Sequence, residues 1–304
     1  MTTSPLNRDQ ILDAVWRTEQ LPPYPGIVAE VERELSKPDP APAKVSGILA
    51  RDPALCAAIL RLANSAAQAM RNETANVGQA IVRLGLRQTR RVVLTAALVQ
   101  RWPVHHTIDQ RSFWSHSISV ALMASELSKH ASVQLSTETV EATFTAGVLH
   151  DLGALVLARA FPEQYALLTS ERMATGRSAL SLELENWGID HGEVGGIVAC
   201  RWRLPDSIRD AVAFHHHPWQ ASAENRLLTQ LVHVADFLCC CQGLNRADDT
   251  VPEDFDNTSW DALGLRIEQA HALFEGVIRQ GDQSKEWVAA LNNGEKDRAW
   301  RRST

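Results

Sequence analysis

Two carboxylates stand where the surrounding sequence predicts the interior of a helical protein. Asp151 lies in TAGVLHDLGALVL and Asp236 lies in LLTQLVHVADFLCCC, and both segments carry apolar residues at helical spacing. An ionised carboxylate inside an apolar helix needs a cation, an arginine or several hydrogen-bond donors. The fold must bring such partners to both aspartates, so we expect a shared polar centre inside the protein.

Five histidines join the two aspartates in the order H…HD…H…HH…D: His116, His150, His191, His215 and His216. Each histidine taken alone is typical of a hydrogen-bonded core or helix-terminal residue. Together with two core-facing carboxylates they indicate one common centre, because imidazole and carboxylate bind the divalent cations that activate water. A metal-free network of Asp–His hydrogen bonds that orders the core is the alternative interpretation.

Helical periodicity runs through almost the whole chain, and alternating strand patterns with hairpin turns are missing. We therefore predict an all-α, multi-helix bundle. Asp190 and Glu193 form a capping-box-like pair just before and within a helix that His191 begins. Pro218 should end the helix that carries the histidine run, because proline cannot continue a helix. Gly147 and Gly153 flank the His150–Asp151 pair and should allow another helix to approach closely.

The predicted organisation is linear, with three parts. Residues 1–110 form an N-terminal helical subdomain that packs against a second helical subdomain, residues 111–245, which holds the polar centre. Residues 246–304 form a C-terminal helical extension that ends in a polar tail. Within this last part, residues 246–258 are acidic and rich in turn formers, which predicts a surface loop.

Composition favours a soluble cytoplasmic protein that contacts no membrane. No apolar stretch approaches the roughly 18 residues that span a bilayer, and the N-terminal residues lack the pattern of a signal peptide. Five cysteines, three of them adjacent at Cys239–Cys241, do not form a disulfide framework. We expect the adjacent cysteines to pack as small apolar side chains.

Four arginines form the sharpest basic cluster of the chain: Arg83, Arg87, Arg90 and Arg91. The spacing of the first three predicts one helical face. A solvated or salt-bridged surface explains them, and a patch for nucleic acid or a partner protein is the alternative. The net charge of −6 makes nucleic acid an unlikely partner for the chain as a whole.

The sequence resembles the HDOD family, the HD-related output domains of bacterial signalling proteins. The resemblance runs from about residue 20 to 240 and rests on LPPYPG, RDPALCAAILRLANSA, AIVRLGL, GVLHDLGALVL, HGEVGG, RWRLPDSI and FHHHP. It implies an all-helical protein in which an N-terminal part packs on an HD-like bundle. Members of the family act as signalling or regulatory modules, usually without demonstrated enzymatic activity.

The related HD-GYP phosphodiesterases cleave cyclic di-GMP, and their metal ligands correspond to seven residues here: His116, His150, Asp151, His191, His215, His216 and Asp236. Two departures weaken the catalytic interpretation. The lysine of the HDxGK motif is replaced by Ala154, and HHHPWQASAENR stands where the enzymes continue into their GYP loop. The resemblance therefore preserves the ligand set better than the groups that contact phosphate.

We therefore expect a non-catalytic module that acts through protein–protein contacts with a signalling partner. Its His/Asp centre is either vestigial or regulatory, and it is suited to a divalent metal such as Fe, Mn, Ni, Zn or Mg. A metal-dependent phosphohydrolase that acts on a nucleotide or cyclic dinucleotide is the main alternative, and a small nucleotide ligand fits either hypothesis. A nucleic-acid-associated regulator is the third.

Overall fold

The computed structural model describes residues 6–17, 21–65, 73–102, 107–246 and 255–303, and every regular element within these ranges is helical. The predicted all-α fold is confirmed. Contacts divide the chain into a large unit, Met1–Leu21 with Val104–Ser284, and a small unit, Pro22–Pro103 with Lys285–Thr304. This division is not the linear one expected from the sequence, because it follows contacts between segments that are far apart in the chain.

The small unit begins with five helices: α2 (Gly26–Leu35), α3 (Pro42–Leu49), α4 (Pro53–Ser65), α5 (Val77–Leu84) and α6 (Leu86–Arg101). Gly85 separates α5 from α6 with a φ of +78°, a backbone conformation that glycine adopts without strain. Arg83 therefore lies on α5, whereas Arg87, Arg90 and Arg91 lie on α6. The prediction that Arg83, Arg87 and Arg90 share one helical face is wrong for this reason.

The large unit contains most of the remaining helices: α1 (Arg8–Arg17), α7 (Gln110–His130), α8 (Thr137–Leu149), α9 (Leu152–Ala160), α10 (Pro162–Thr175), α11 (Ala179–Trp187), α12 (His191–Arg201), α13 (Asp206–Ala213), α14 (Arg226–Cys241) and α15 (Asn257–Ala262). The last helix, α16 (Ala270–Ser303), has its residues up to Ser284 in the large unit. It extends through the residues expected to form a polar tail.

The core of the large unit is formed by the apolar faces of α7, α8 and α14. Val120, Met123 and Leu127 are fully buried on α7, on the face that also carries His116. Leu231 and Leu238 of α14 belong to the same cluster. Burying each such side chain contributes roughly 1.5–3 kcal/mol, so this core fixes the helices that bear the polar residues.

The segment Thr137–Ala160 is the one stretch of the described residues that is long and apolar enough to cross a membrane by length and composition. Its most apolar window is 78% buried inside the protein. Burial of this kind is typical of a core helix, and the segment comprises α8 and α9 with the His150–Asp151 pair between them.

The His150–Asp151 pair lies in a break between two helices, where the sequence predicted one continuous helix. α8 ends at Leu149 and α9 begins at Leu152, and Asp151 has φ −92° and ψ 3°. Gly153 explains the close packing that follows, since a Cβ atom there would lie 1.9 Å from the carbonyl oxygen of His191. The break turns α9 so that it runs directly against the start of α12.

The histidine run lies in a turn, whereas the sequence predicted the end of a helix. α13 ends at Ala213, and His217 has φ −130° because the residue before a proline is disfavoured in helical geometry. Asp210, which lies on α13, stabilises this turn through its side chain. Its carboxylate accepts hydrogen bonds from Ser222 Oγ at 2.8 Å and Asn225 Nδ2 at 2.9 Å.

We predict that Gly153→Ala destabilises the large unit by about 1–3 kcal/mol or more, because its Cβ would overlap the backbone of α12. Gly47→Ala is the matched control, since Gly47 is also helical but has nothing within 4 Å of a Cβ. The control should gain roughly 0.5–1 kcal/mol from its better helix propensity. Urea unfolding followed by circular dichroism measures both. Equal stability of the two variants would contradict the close approach.

A second prediction concerns pH. Burial alone would raise the pKa of Asp210, but hydrogen bonds from Asn225 and Ser222 hold it below its ordinary value. Its stabilising contribution is therefore complete above about pH 4 and is lost as the pH falls through the lowered pKa. Asp210→Asn should cost about 1–3 kcal/mol at pH 7. The difference from wild type should shrink on acidification below pH 4.

The control for this prediction is Asp206→Asn, because the Asp206 side chain is exposed and pairs only at the surface with Arg209. This variant should stay within about 0.5 kcal/mol of wild type at each pH. Urea unfolding at several pH values gives both comparisons. A cost of Asp210→Asn that does not change with pH would show that the carboxylate charge is not the stabilising feature.

Candidate metal centre

The structure brings all seven predicted ligand residues together inside the large unit. They come from α7 (His116), the α8–α9 break (His150 and Asp151), the start of α12 (His191), the turn after α13 (His215 and His216) and α14 (Asp236). Five segments that are separated in sequence therefore contribute to one polar centre.

Asp151 lies in the middle of this centre and is only 3% exposed. Its Oδ1 atom is 3.1 Å from His191 Nε2, 3.5 Å from His150 Nε2 and 3.8 Å from His215 Nε2. Its Oδ2 atom is 3.7 Å from His116 Nε2. One carboxylate thus faces four imidazoles that come from four different segments of the chain.

The ligand atoms fall into two groups whose members lie within 4.8 Å of one another, and a third group joins them. Subsite 1 comprises His116, His150 and Asp236, and subsite 2 comprises His191, His215 and His216. The joining group is His150, Asp151 and His215. Asp151 therefore lies between the two subsites and can offer an oxygen to either.

Hydrogen bonds to Nδ1 fix the orientation of four imidazoles. Nδ1 of His116, His150 and His215 lies 2.7–2.8 Å from the carbonyl oxygens of Leu244, Gly147 and Val212 respectively. A carbonyl only accepts, so each of these Nδ1 atoms carries the proton. In the neutral form of each ring, Nε2 is therefore the unprotonated nitrogen and faces the centre, as in metal-binding histidines.

His191 has a carboxylate partner where the other three have carbonyls. Glu183 is fully buried on α11, and its Oε2 lies 2.7 Å from His191 Nδ1 and accepts a 2.8 Å hydrogen bond from the His191 backbone N–H. Carboxylate–histidine pairs of this kind orient a metal ligand and raise its basicity. No role was predicted for Glu183, although its spacing places it on the buried face of α11 with Leu180 and Trp187.

Several nitrogens of the centre lack the partners that buried polar atoms normally have. His150 Nε2 and His215 Nε2 are buried and form no hydrogen bond. His191 Nε2 and His216 Nε2 face each other at 2.9 Å, so a proton or a cation must separate their lone pairs. Unsatisfied buried nitrogens are rare in proteins, and nitrogen and oxygen donors in this number fit a divalent metal ion.

The electrostatics of the centre separate the roles of its histidines. Burial, together with neighbouring His150 and His191, lowers the pKa of His215 to about 3. Burial also lowers the pKa of His216 well below its usual value. Burial opposes the charged form of His191 too, but Glu183 and Asp151 raise its pKa well above the ordinary range. His215 and His216 are therefore uncharged at pH 7 and can act as metal ligands. His191, in contrast, is in its charged, doubly protonated form when no metal is bound.

Arg246 is the second residue of the centre for which the sequence predicted no role. Its Nη1 lies 3.3 Å from Asp151 Oδ2, and the residue is 3% exposed. Burial alone would raise the pKa of Asp151, but Arg246 and the histidines hold it well below the ordinary value. The prediction of a surface loop from residue 246 is wrong at Arg246, because this guanidinium pairs with a buried carboxylate. Residues 247–254 lie outside the described residues.

A cleft of about 550 Å³ opens onto the centre. Its walls include the Ser178 end of α11, Trp219, Phe237 and Cys240. Trp219 is 56% exposed, and its ring centroid lies 5.0 Å from that of His217. Among the described residues that line the cleft there is no lysine or arginine. The described part of the cleft therefore offers metal-type ligands and aromatic surface, but no lysine or arginine to an anionic ligand.

The adjacent cysteines point in three directions. Cys239 is buried in the core, as predicted, and Cys241 is exposed. Cys240 lines the cleft, where its Sγ lies 3.5 Å from Asp236 Oδ1.

The arginine cluster lies in the small unit, where Arg90 pairs with Glu32 at 2.7 Å. Arg83 and Arg87 are its exposed members, and a role for them in binding stays a prediction.

An uncharacterized protein from Treponema pallidum (strain Nichols) is 26% identical to this chain over 221 residues. The match covers 72% of this chain but 42% of that protein, so the chain spans less than half the length of this curated relative.

Solved structures share the fold. A provisionally named phosphohydrolase from Shewanella amazonensis SB2B is 28% identical, with a TM-score of 0.69 and coverage of 92% of this chain and 97% of that one. A provisionally named signal transduction protein from Marinobacter aquaeolei VT8 is 22% identical, with a TM-score of 0.76 and coverage of 94% and 65%. The HDOD domain family matches residues 21–218, more than half of the chain. The chain therefore belongs to the HDOD family.

Proposed function

We propose that this protein is a regulatory module whose His/Asp centre binds a divalent metal ion and that it acts on a signalling partner without turning over a phosphodiester. The observation that carries the proposal is the contrast between the centre and its cleft. Imidazole Nε2 atoms held in the metal-binding orientation surround Asp151, whereas the described cleft lining has no lysine or arginine.

The donor set determines which metals suit the centre. Five imidazoles favour ions that accept nitrogen readily, such as Zn²⁺, Fe²⁺ or Ni²⁺, and the two carboxylates also admit Mn²⁺. Mg²⁺ prefers oxygen ligands and retains its water, so it suits this set least. The bound ion would supply Lewis acidity at the floor of the cleft. The residues of the chain would hold it through Nε2 atoms and the Asp151 carboxylate.

Metal occupancy would also affect the structure of the large unit, and this supports a regulatory role. The ligand residues come from five segments: α7, the α8–α9 break, α12, the turn after α13 and α14. An ion bound at either subsite together with Asp151 ties three of these segments together, and its loss leaves buried nitrogens without partners. A change in occupancy therefore changes how firmly the helices are held, which a partner protein can detect at the surface.

A metal-dependent phosphohydrolase is the second candidate, and one observation favours it. The Shewanella amazonensis structure that is 28% identical carries the provisional name of phosphohydrolase. Hydrolysis needs positive charge on the phosphate oxygens as well as an activated water. Ala154, which replaces the lysine of the related enzymes, is fully buried and apolar. The phosphohydrolase candidate is therefore the weaker of the two.

We predict that a bound metal stabilises the protein. At a free concentration about 100 times the Kd, Mn²⁺ or Zn²⁺ should raise the Tm by roughly 5–10 °C, and a chelator should reverse the change. His215→Ala should reduce this response because it removes a buried donor. His130→Ala is the control, since His130 lies on α7 outside the centre and pairs with Glu126. An equal response of wild type and His215→Ala would exclude His191, His215 and His216 as the metal site, and no response of wild type to either metal would contradict a metal centre.

We further predict no hydrolysis of cyclic di-GMP or of a chromogenic phosphodiester above a blank that contains only the metal. The assay should include Mg²⁺, Mn²⁺, Fe²⁺, Ni²⁺ and Co²⁺, because the wrong metal would imitate inactivity. Metal content measured in the same samples shows that the centre was occupied. Turnover that disappears in His150→Ala and Asp151→Asn but persists in His130→Ala would replace the regulatory proposal with the phosphohydrolase.

A further inference from the structure

The two oxygens of Asp151 have different surroundings. Oδ1 faces imidazoles of both subsites, with His191 Nε2 nearest at 3.1 Å. Oδ2 lies 3.3 Å from Arg246 Nη1 and 3.7 Å from His116 Nε2. A carboxylate that bridges two metal ions uses one oxygen for each of them. Here a guanidinium already occupies the side of Asp151 that faces His116.

Arg246 is a permanent cation in this position. A guanidinium stays protonated even when it is buried, so the charge beside Oδ2 cannot be titrated away. A buried ion pair also resists separation, because each partner left alone would be an uncompensated charge. The segment between α14 and Arg246 is fixed by Leu244. The Leu244 carbonyl accepts a hydrogen bond from His116 Nδ1, and the Leu244 side chain lies against Gly281 of α16.

The charge of the centre favours one divalent ion. Three carboxylates contact its histidines and carry three negative charges: Asp151 and Glu183, which are buried, and Asp236, which is partly exposed. Arg246 offsets one of them. A single divalent cation neutralises the remaining two, whereas a second would leave an excess of positive charge among ligands that are mostly buried.

We infer that Arg246 restricts the centre to a single metal ion, held at subsite 2 by His191, His215 and His216 with Asp151 Oδ1. The inference rests on the proposed function, since it requires that the centre binds metal. Subsite 2 has three imidazoles and faces Asp151 Oδ1, the oxygen that is not paired with Arg246. Subsite 1 has His116 paired with Asp236 at 3.2 Å and must share Asp151 with Arg246. Arg246 is thus a residue that sets metal stoichiometry without binding metal.

The test measures metal content and spectroscopy on the full chain. Protein is loaded with Mn²⁺ in excess of a chelating buffer, separated from free metal and analysed by mass spectrometry. Wild type should hold about one ion per chain and give the electron paramagnetic resonance spectrum of isolated Mn²⁺. Arg246→Gln should hold about two and show the spectrum of an exchange-coupled pair. Arg246→Lys keeps the charge and should stay near one.

Two controls make the result specific. Arg266→Gln changes an exposed arginine and should leave the content at one. His116→Ala removes a subsite 1 ligand in the wild-type background and should also leave it at one, whereas His191→Ala should lose the ion. This pair tests the location of the metal even if Arg246→Gln fails to fold, which circular dichroism would reveal.

Each other outcome overturns a defined statement. A wild-type protein that binds two ions contradicts this inference and leaves the proposed metal centre intact. A wild-type protein that binds none contradicts the proposed metal centre and the inference together. One ion in both wild type and folded Arg246→Gln shows that Arg246 does not set the stoichiometry. Loss of the ion in His116→Ala but not in His191→Ala would place the metal at subsite 1.

Discussion

The burial of one carboxylate, Asp151, determines how the large unit is assembled. Asp151 is only 3% exposed, and burying its charged carboxylate costs several kcal/mol unless cations and hydrogen-bond donors surround it. Those partners come from α7, α12, the turn after α13 and the segment after α14. The helices must therefore converge on one point, and packing of their apolar faces has to be compatible with that convergence. The polar centre and the hydrophobic core therefore depend on the same arrangement of helices.

Glycine makes the convergence geometrically feasible. A Cβ atom on Gly147 would lie 2.5 Å from the Cα of Ala121 on α7, and one on Gly153 would overlap the backbone of α12. Helical glycine costs about 0.5–1 kcal/mol relative to alanine. The cost is offset because close backbones let short side chains meet: Asp151 reaches His191 of α12 at 3.1 Å and His116 of α7 at 3.7 Å. A wider separation of the helices would leave these groups buried and unpaired.

The sequence predicted the class of fold and the composition of the centre for a definable physical reason. Helical periodicity is a local property, and a carboxylate on an apolar face is conspicuous without any structure. The groups that orient the centre were not predicted, because they depend on packing between distant segments. Arg246 reads as the start of an acidic loop, and only the fold shows that it pairs with Asp151. Glu183 could have been predicted from the sequence, since it interrupts the apolar face of α11.

Local backbone geometry was the other part that periodicity could not predict. The break at His150–Asp151 and the turn after Ala213 both fall where the sequence predicted helix. Their φ and ψ values depend on contacts with α12 and on the hydrogen bonds of Asp210, and neither is a property of the local segment. Ligand residues placed at breaks and turns are free of helical spacing. They can aim several side chains at one point, which a continuous helix cannot do.

The position of positive charge relative to the cleft distinguishes the two candidate functions physically. A cation on the cleft wall would bind a phosphate and stabilise the charge that develops during its cleavage. Arg246 is not among the residues that line the cleft, and it is paired with Asp151. There it stabilises the carboxylate when no metal is bound and competes with metal for one oxygen. Both effects weaken metal binding, and this is the physical basis on which we propose reversible occupancy in preference to turnover.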